Sequence, residues 1–389
     1  MTTQATTIAS ADAVLDDALQ SCLDAIDSCA VTWDGHRGWG TWELDARGEP
    51  LELHAGRPWL YDGNAGIAWA LRTLGREDGD EPAGDAGPAP GLLGGSTGVA
   101  LAGSGRSDGL GGLSLSRPGR GSDLGGGLAG DLLALVRSGT GAPATVAALV
   151  DALAGAARWD GEFACWPEPG GDQPLCGLAH GVSGVVLALA EAAAAYPEVA
   201  PVAAPLIAAG LRWEAAWFDP ASGGWPDLRG DGPPGYPVLW CHGAAGIAAV
   251  RLRLLQLGTA LDYPADAIAA EAHAGVLACG LELTRAVARA RADGFGAIPG
   301  GLTLCHGLAA PLDVLALAGE VWPDADHLAA ARRIASDLVR LAPADPLDWP
   351  SGLRADACLG LFVGTAGSAL LFARLLDPAR IGSLSLLAF

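Results

Sequence analysis

Two short stretches of the chain carry the same uncommon tripeptide, Cys-His-Gly, whose side chains can bind a metal. They are WCHG at residues 240–243 and LCHG at residues 304–307. Zinc binds cysteine sulfur and histidine nitrogen in tetrahedral sites. The sequence also predicts a helix directly after each Cys, and the positive end of a helix dipole favours the thiolate that a metal requires. We therefore expect the two stretches to meet on one metal ion.

The two stretches offer four candidate ligands, namely Cys241, His242, Cys305 and His306. If both histidines bind, the ion has four protein ligands and the site is structural. If only one binds, the fourth position stays open for water or a substrate, as in catalytic zinc sites. The competing interpretation, that each Cys is a small buried hydrophobic residue, fits a single copy better than two. The spacing alone leaves the number of ligands open.

Both stretches belong to a set of seven repeats, in which a G-x-x-G step precedes an apolar run with helical spacing. In chain order they are LYDGNAGIAWAL (60–71), LLGGSTGVALA (92–102), LGGGLAGDLLAL (124–135), LAHGVSGVVLAL (178–189), WCHGAAGIAAVRL (240–252), LCHGLAAPLDVL (304–315) and LFVGTAGSALLF (361–372). The first glycine permits a turn with positive φ or a close backbone approach, and the second lets a neighbouring helix come near. Only the sixth repeat departs, with Ala310 at the second glycine position.

The helical runs that follow these turns are apolar nearly all round, which is typical of buried helices. Between most of them lie Ala-rich stretches with a charged face, which is typical of surface helices: 12–31, 144–158, 200–217, 263–292 and 325–342. Seven buried helices alternating with surface helices predict an all-α fold, an α/α toroid with an inner and an outer ring. Such a ring gathers all seven turns at one end and brings Cys241 and Cys305 to the same level.

The pattern is weakest within residues 76–122. The stretches 76–90 and 104–122 are rich in Gly, Pro and Ser, so we expect long loops or disorder there and an irregular toroid on that side. A further long loop is expected over 219–238, directly before the fifth repeat. No boundary separates a second domain, so residues 1–389 are predicted to form a single domain, with the repeats in a core of about 55–375.

When the seven turns are placed in register, the residue before the first glycine of the fourth turn is His180. A histidine there is a candidate general acid or base, because imidazole titrates near neutral pH; a structural hydrogen-bonding role is the alternative. Asp123 lies four residues before Gly127 of the third repeat and could reach into the same opening. Taken alone, an Asp before a glycine turn is usually a turn or cap residue.

The overall composition excludes several classes of protein. The net charge is −21 and no Lys/Arg cluster occurs, so nucleic acid is not an expected partner. The N-terminus is acidic and lacks a signal-peptide pattern, which predicts a cytoplasmic protein whose eight Cys are thiols or metal ligands rather than disulfides. The most apolar stretch is interrupted by Glu191 and ended by Pro197, so no membrane span is expected. The 57 Gly and the abundant Ala point away from sheets.

From about residue 55 to residue 375, the seven G-x-x-G units together with GLAHG, WCHGAAGI and LCHG resemble the lanthionine synthetase C-like (LanC-like) cyclases in order and spacing. WCHG in particular resembles the cyclase domains of the bifunctional lanthipeptide synthetases. One departure is Pro237, since some members carry an Arg four residues before the first zinc Cys.

The resemblance implies an α/α toroid with one Zn²⁺ per chain. Its ligands would be Cys241, Cys305 and His306, with the fourth position held by water until a peptide thiol replaces it. The resemblance also makes His180 the acid/base candidate, with Asp123 assisting it. His242 would lie beside the metal and face the substrate rather than bind the ion.

The implied activity is that of a zinc-dependent lanthipeptide cyclase. Peptide Cys thiols would add to dehydroalanine or dehydrobutyrine by Michael addition and form lanthionine or methyllanthionine thioether rings. The expected partner is a ribosomal precursor peptide that already carries dehydroamino acids, made by a partner dehydratase or kinase/lyase enzyme.

Three alternatives remain at this point. A LanC-like enzyme could instead add glutathione to dehydroamino acids in damaged proteins. The chain could also be a non-catalytic peptide-binding subunit of a peptide-modification complex, although such a subunit has no need of an open zinc site. A toroid glycosidase would need paired carboxylates at the mouth of the ring, and only Asp62 and Asp123 qualify among the turn residues.

Overall fold

The computed structural model describes most of the chain: residues 2–33, 36–44, 50–76, 90–103, 120–168, 170–171, 173–230, 232–351 and 358–388. Contacts divide the chain into two compact units. The first unit comprises residues 1–86, 102–104 and 279–389, and the second comprises 87–101 and 105–278. The loops expected over 76–90 and 104–122 fall almost wholly outside the described residues, and the single-domain interpretation stays a prediction.

The described residues form twelve α-helices. They are α1 (Thr2–Ser28), α2 (Asn64–Thr73), α3 (Ser96–Ala102), α4 (Leu128–Ser138), α5 (Pro143–Ala156), α6 (Val182–Ala195), α7 (Ala200–Ala215), α8 (Ala244–Leu257), α9 (Ala265–Asp293), α10 (Ala309–Val321), α11 (His327–Leu341) and α12 (Thr365–Leu376).

Each of the seven repeats supplies one helix, and the predicted surface helices are present as α1, α5, α7, α9 and α11. In the second unit α4 packs on α6 and α6 packs on α8, while α5 and α7 cover them. In the first unit α12 packs on α10 and α2, and α1 and α11 lie against this group. The repeat helices are buried nearly all round, whereas α11 buries only one face. The division into buried and surface helices therefore follows the hydrophobic pattern of the sequence.

Two small antiparallel sheets occur that the composition did not indicate. The first unit contains β1 (Ala30–Trp33), β2 (His36–Leu44) and β3 (Pro50–Ala55), and the second contains the hairpin β4 (Arg158–Asp160) with β5 (Phe163–Cys165). The β-branched and aromatic residues of β1, β2, β4 and β5 favour strands locally, whereas β3 contains none. The Ala and Gly of the whole chain obscure this local preference. The expectation that sheets are absent was wrong in this respect.

The predicted loop over 219–238 is confirmed, because the described residues between α7 and α8 form only isolated bridges, such as Val238 with Gly243. Among the described helices, α9 alone is long and apolar enough to cross a membrane. Its best 18-residue window has a mean hydropathy of 1.2, and 33% of that window is buried in the protein. Length and composition alone are weak evidence for a span, and Glu271 of α9 forms an ion pair with Arg251 at 2.8 Å.

Backbone hydrogen bonds join neighbouring turns of the second unit at equivalent positions. The residue two places before the first glycine donates its N–H to the carbonyl of the equivalent residue in the next turn. These bonds run from Leu93 to Gly125 (2.9 Å), from Gly125 to Ala179 (2.9 Å) and from Ala179 to Cys241 (3.1 Å).

The first unit repeats this arrangement. The N–H of Cys305 donates to the carbonyl of Phe362 at 2.8 Å, and the N–H of Phe362 donates to the carbonyl of Tyr61 at 2.9 Å. The register that the sequence predicts for the seven turns is therefore the register of these bonds within each unit.

The second glycine of a repeat lies where its helix crosses the neighbouring turn. A Cβ added at Gly184 of α6 would lie 2.2 Å from the carbonyl oxygen of Leu178 and 2.8 Å from Cβ of Leu124. Gly246 of α8 has the same relation to Trp240 and Leu178. No other residue type fits this approach without moving a backbone segment, so the G-x-x-G spacing has a steric cause.

We predict that Gly184→Ala destabilises the protein by about 1–3 kcal/mol, the usual cost of overpacking a tight core. The control is Gly155→Ala near the end of α5, where an added Cβ meets nothing within 4 Å. That control should be neutral or stabilising by up to about 1 kcal/mol, because alanine favours helix more than glycine does. Urea unfolding of both variants checks this, and equal stabilities would contradict the steric account.

Candidate active site

His180 and Asp123 form a hydrogen-bonded pair in the second unit. Nδ1 of His180 contacts Oδ2 of Asp123, and the N–H of Gly126 donates to Oδ1 of Asp123 at 3.0 Å. The backbone bonds between these two turns, including that from Leu124 to the Ala179 carbonyl at 3.1 Å, hold the two side chains next to one another. The sequence prediction that Asp123 reaches the opening occupied by His180 is consistent with this geometry.

Each member of this pair stabilises the charged form of the other. The hydrogen bond from Asp123 raises the pKa of His180, and this outweighs the burial that would lower it. Burial alone would raise the pKa of Asp123, but the His180 hydrogen bond and charge and the Gly126 N–H outweigh it, so the pKa lies below its usual value. Asp123 is therefore ionised at neutral pH and favours protonated His180. The His180 side chain is 46% exposed, so a ligand can reach it.

The absence of a side chain at Gly125 leaves room for the His180 ring. A Cβ added at Gly125 would lie 2.9 Å from Cε1 of His180, whereas one added at the adjacent Gly126 would meet nothing within 4 Å. Sequence analysis placed Gly125 in the register of the turns but could not show that its missing side chain makes room for the imidazole.

His242 lies against His180, with ring centroids 6.0 Å apart and an interplanar angle of 25°. It is almost fully buried, and burial lowers its pKa, so the ring is neutral at neutral pH. Its Nδ1 has no hydrogen-bond partner among the described residues. His242 therefore lies beside His180, and its expected role as a group that faces the substrate next to the metal stays a prediction.

Cys241 is buried in the same turn, and its carbonyl accepts the N–H groups of Leu178 and Ala179, each at 3.1 Å. Gly243 follows with a φ of 88°, and a Cβ there would lie 1.9 Å from the carbonyl oxygen of Pro237. This is the positive-φ turn that the first glycine predicts. A charge on the Cys241 sulfur contributes to the raised pKa of His180.

Glu168 is a member of this cluster that sequence analysis missed. One oxygen from each carboxylate of Asp123 and Glu168 and a ring nitrogen of His180 lie within 4.8 Å of one another. Burial, and then the charge of Asp123, raise the pKa of Glu168 to about 7. Glu168 follows β5 and lies outside all seven repeats, so no register could have pointed to it. Carboxylate oxygens and histidine nitrogens can also bind a metal. In this cluster, however, Nδ1 of His180 and Oδ2 of Asp123 are already hydrogen-bonded to each other.

A buried ionic network holds the turn that carries His180. Glu214 accepts the N–H of Gly177 at 2.9 Å and the hydroxyl of Ser183 at 2.5 Å. Arg251 lies 2.9 Å from Glu214, and both side chains are 0% exposed. Because Gly177 and Ser183 flank His180 in the chain, this network fixes both ends of its turn. In the sequence, only the charged residues Glu214 and Arg251 in apolar surroundings point to this network.

In the first unit, Sγ of Cys305 lies 3.6 Å from Nε2 of His306. Two ligands on one tetrahedral zinc are expected about 3.5 Å apart, from Zn–S and Zn–N bonds of about 2.3 and 2.1 Å. Cys305 is buried, and Nδ1 of His306 has no hydrogen-bond partner among the described residues. The donor set and its spacing fit zinc. That Cys241 joins these two side chains on one ion stays a prediction.

Comparison with known proteins identifies the family. The family model described as "Lanthionine synthetase C-like protein" matches residues 126–387, which is well over half of the chain. The chain belongs to this family. Among solved structures it is similar to a chain described as "Nisin cyclase", with a TM-score of 0.54 and 14% sequence identity, over 84% of this chain and 94% of that one. This likeness confirms the predicted fold class, an all-α protein of the toroid type. No curated protein matches the sequence.

We predict that Gly125→Ala moves the His180 ring by about half an ångström, the shift needed to restore ordinary contact distances. The overall stability should change little, because the ring lies at the movable end of a side chain. The matched control is Gly126→Ala, which should leave the ring in place. Crystal structures of the two variants, with their melting temperatures, check this, and an unmoved ring in Gly125→Ala would refute it.

A second prediction concerns the protonation of His180. Asp123→Asn removes the charge that raises the pKa of His180, so that pKa should fall. At a pH between the two pKa values, His180 is protonated in the unchanged protein and neutral in the variant. NMR titration of the imidazole Cε1–H groups measures this, with Asp151→Asn on the exposed face of α5 as a control. Equal His180 pKa values in all three proteins would show that Asp123 does not set its charge.

Proposed function

We propose that this LanC-like protein is a zinc-dependent lanthipeptide cyclase. It would add the Cys thiols of a precursor peptide to dehydroalanine or dehydrobutyrine and so form lanthionine and methyllanthionine rings. The observation that carries the proposal is the Asp123–His180 pair, which lies in turns bonded through their backbones to the turn of Cys241. Family membership and the zinc-like spacing of Cys305 and His306 support it.

Cys241, Cys305 and His306 would hold one zinc ion per chain. Bound there, zinc would lower the pKa of an incoming peptide thiol and give a nucleophile at neutral pH. His242, whose ring packs on His180, would line the side of the site next to Cys241 rather than bind the ion.

His180 would supply the proton that completes the reaction. When the peptide sulfur forms its bond to the β-carbon, the π electrons of the dehydroamino acid move into an enolate. The α-carbon must then receive a proton. His180 carries one near neutral pH because Asp123 raises its pKa, and its exposed side can reach a bound peptide. Asp123 fixes the ring through Nδ1 and thereby leaves Nε2 as the donor.

The proposal also covers compartment and partners. None of the eight Cys forms a disulfide in the described part of the chain, which is consistent with a reducing cytoplasm. The substrate would arrive already dehydrated, so a dehydratase or a kinase/lyase enzyme must act on the precursor peptide before this protein.

The test uses purified protein, metal analysis, and a synthetic peptide that contains dehydroalanine and a free Cys. We expect about one zinc per chain and a ring product that resists a thiol-alkylating reagent in mass spectrometry. Cys305→Ala should lose both, while the control Cys279→Ala, at another buried Cys, should keep both. His180→Asn should keep zinc and lose cyclisation by about 10²–10⁴-fold, the usual contribution of a general acid.

An active wild type free of metal would refute the zinc dependence. Transfer of glutathione to the peptide in place of ring closure would favour the glutathione-adding alternative. Absence of both reactions, with zinc bound, would leave only the peptide-binding subunit.

A further inference from the structure

Glu168 lies between two residues, Trp166 and Gly177, that are held by hydrogen bonds. Trp166, two residues before it, is buried and donates its indole N–H to the carbonyl of Leu153 at 2.8 Å. Gly177, at the far end, donates its N–H to Glu214 at 2.9 Å. Trp166 therefore anchors the chain two residues before the half-buried side chain of Glu168, which lies next to Asp123.

The carboxyl groups of Glu168 and Asp123 lie close together. Oδ1 of Asp123 accepts the Gly126 N–H and Oδ2 contacts Nδ1 of His180, and an oxygen of the Glu168 carboxyl lies within 4.8 Å of an Asp123 oxygen. Two carboxyl groups can share a hydrogen bond only when one of them carries a proton. Asp123 is the ionised member, since two other donors face it. The proton therefore belongs to Glu168, in keeping with its raised pKa of about 7.

We propose that Glu168 is a positioning residue, whose protonated carboxyl donates to Asp123 and holds that carboxylate against His180. The inference rests on the proposed function only in its expectation that this arrangement affects catalysis. Three groups then form one chain of hydrogen bonds, from Glu168 through Asp123 to Nδ1 of His180. Asp123 cannot turn away from the imidazole without losing the Glu168 bond as well.

The test compares Glu168→Ala with Glu168→Gln in the zinc-loaded full-length protein. Alanine removes the donor, whereas the amide N–H of glutamine restores it. The direct readout is the low-field proton NMR signal of the His180 Nδ1–H, identified by its absence in His180→Asn. Glu168→Ala should broaden this signal or shift it upfield, and Glu168→Gln should keep it. The exposed Glu198→Ala serves as the control for the loss of a glutamate elsewhere.

Cyclisation of the synthetic peptide provides the second readout. Glu168→Ala should lower kcat by about tenfold or more without a change in KM, because a small misplacement of a catalytic group is costly while the peptide-binding surface is untouched. Glu168→Gln should restore kcat to within about twofold of wild type at pH 6.5, where Glu168 itself is mainly protonated.

The outcomes separate the two proposals. An NMR signal that is the same in all the Glu168 variants would overturn the positioning role, even if the wild type cyclises the peptide. A signal that responds as expected in a protein without cyclase activity would uphold the positioning role and refute the proposed function. A second equivalent of metal that disappears in Glu168→Ala would show that the three groups bind an ion, and it would also overturn the inference.

Discussion

The close approach of each repeat helix to the neighbouring turn is the constraint on which the rest of the structure depends. An added Cβ at Gly184 would lie 2.2 Å from a carbonyl oxygen of its own turn and 2.8 Å from Cβ of Leu124 in the neighbouring turn, and Gly246 has the same relation to its own and its neighbouring turn. This approach allows the N–H of one turn to reach the carbonyl of the next, as from Ala179 to Cys241. The bonds fix the height and direction of each turn, and therefore of the side chains that it carries. A looser helix pair could bury the same apolar surface but would not hold two turns in register.

The hydrogen bonds between turns fix the backbone, and buried hydrogen bonds and ion pairs then fix the side chains. Asp123 is held by the Gly126 N–H and His180, and the turn of His180 is held by Glu214, which is itself paired with Arg251. Removing one partner of such a buried pair is expected to cost about 3–5 kcal/mol, because the other charge stays buried without compensation. The imidazole thus combines an exposed side, available to a ligand, with a fixed side bonded to Asp123. A side chain that donates a proton to a carbon atom needs both an exposed side and a fixed orientation.

The sequence predicted the features that repeat and missed those that do not. The seven turns, the surface helices and the loop over 219–238 follow from glycine spacing and hydrophobic periodicity, and the structure bears them out. His180 and His242 could be located because they occupy one position of a repeated turn. Glu168 could not, because it lies on an irregular segment outside the repeats and joins the cluster only in the folded structure. The sheets were missed for a related reason, since strands of three to nine residues leave little trace in a chain dominated by Ala and Gly.

The division of roles between backbone and side chain explains how one repeated turn can both stabilise the fold and carry reactive groups. The bonds between turns use only backbone atoms, and the close packing uses only the absence of side chains at glycine. The side chain of the residue before the first glycine therefore takes no part in these contacts between turns. The residue at this position varies along the chain: Asp62, Gly94, Gly126, His180, His242, His306 and Val363. Changing that residue alters what the turn presents without altering how the turn is held. A site assembled in this way can change one side chain at a time, and residues outside the repeats can join it, as Glu168 does beside Asp123 and His180. Irregular segments adjoining the regular turns are accordingly where further determinants of the reaction are to be sought.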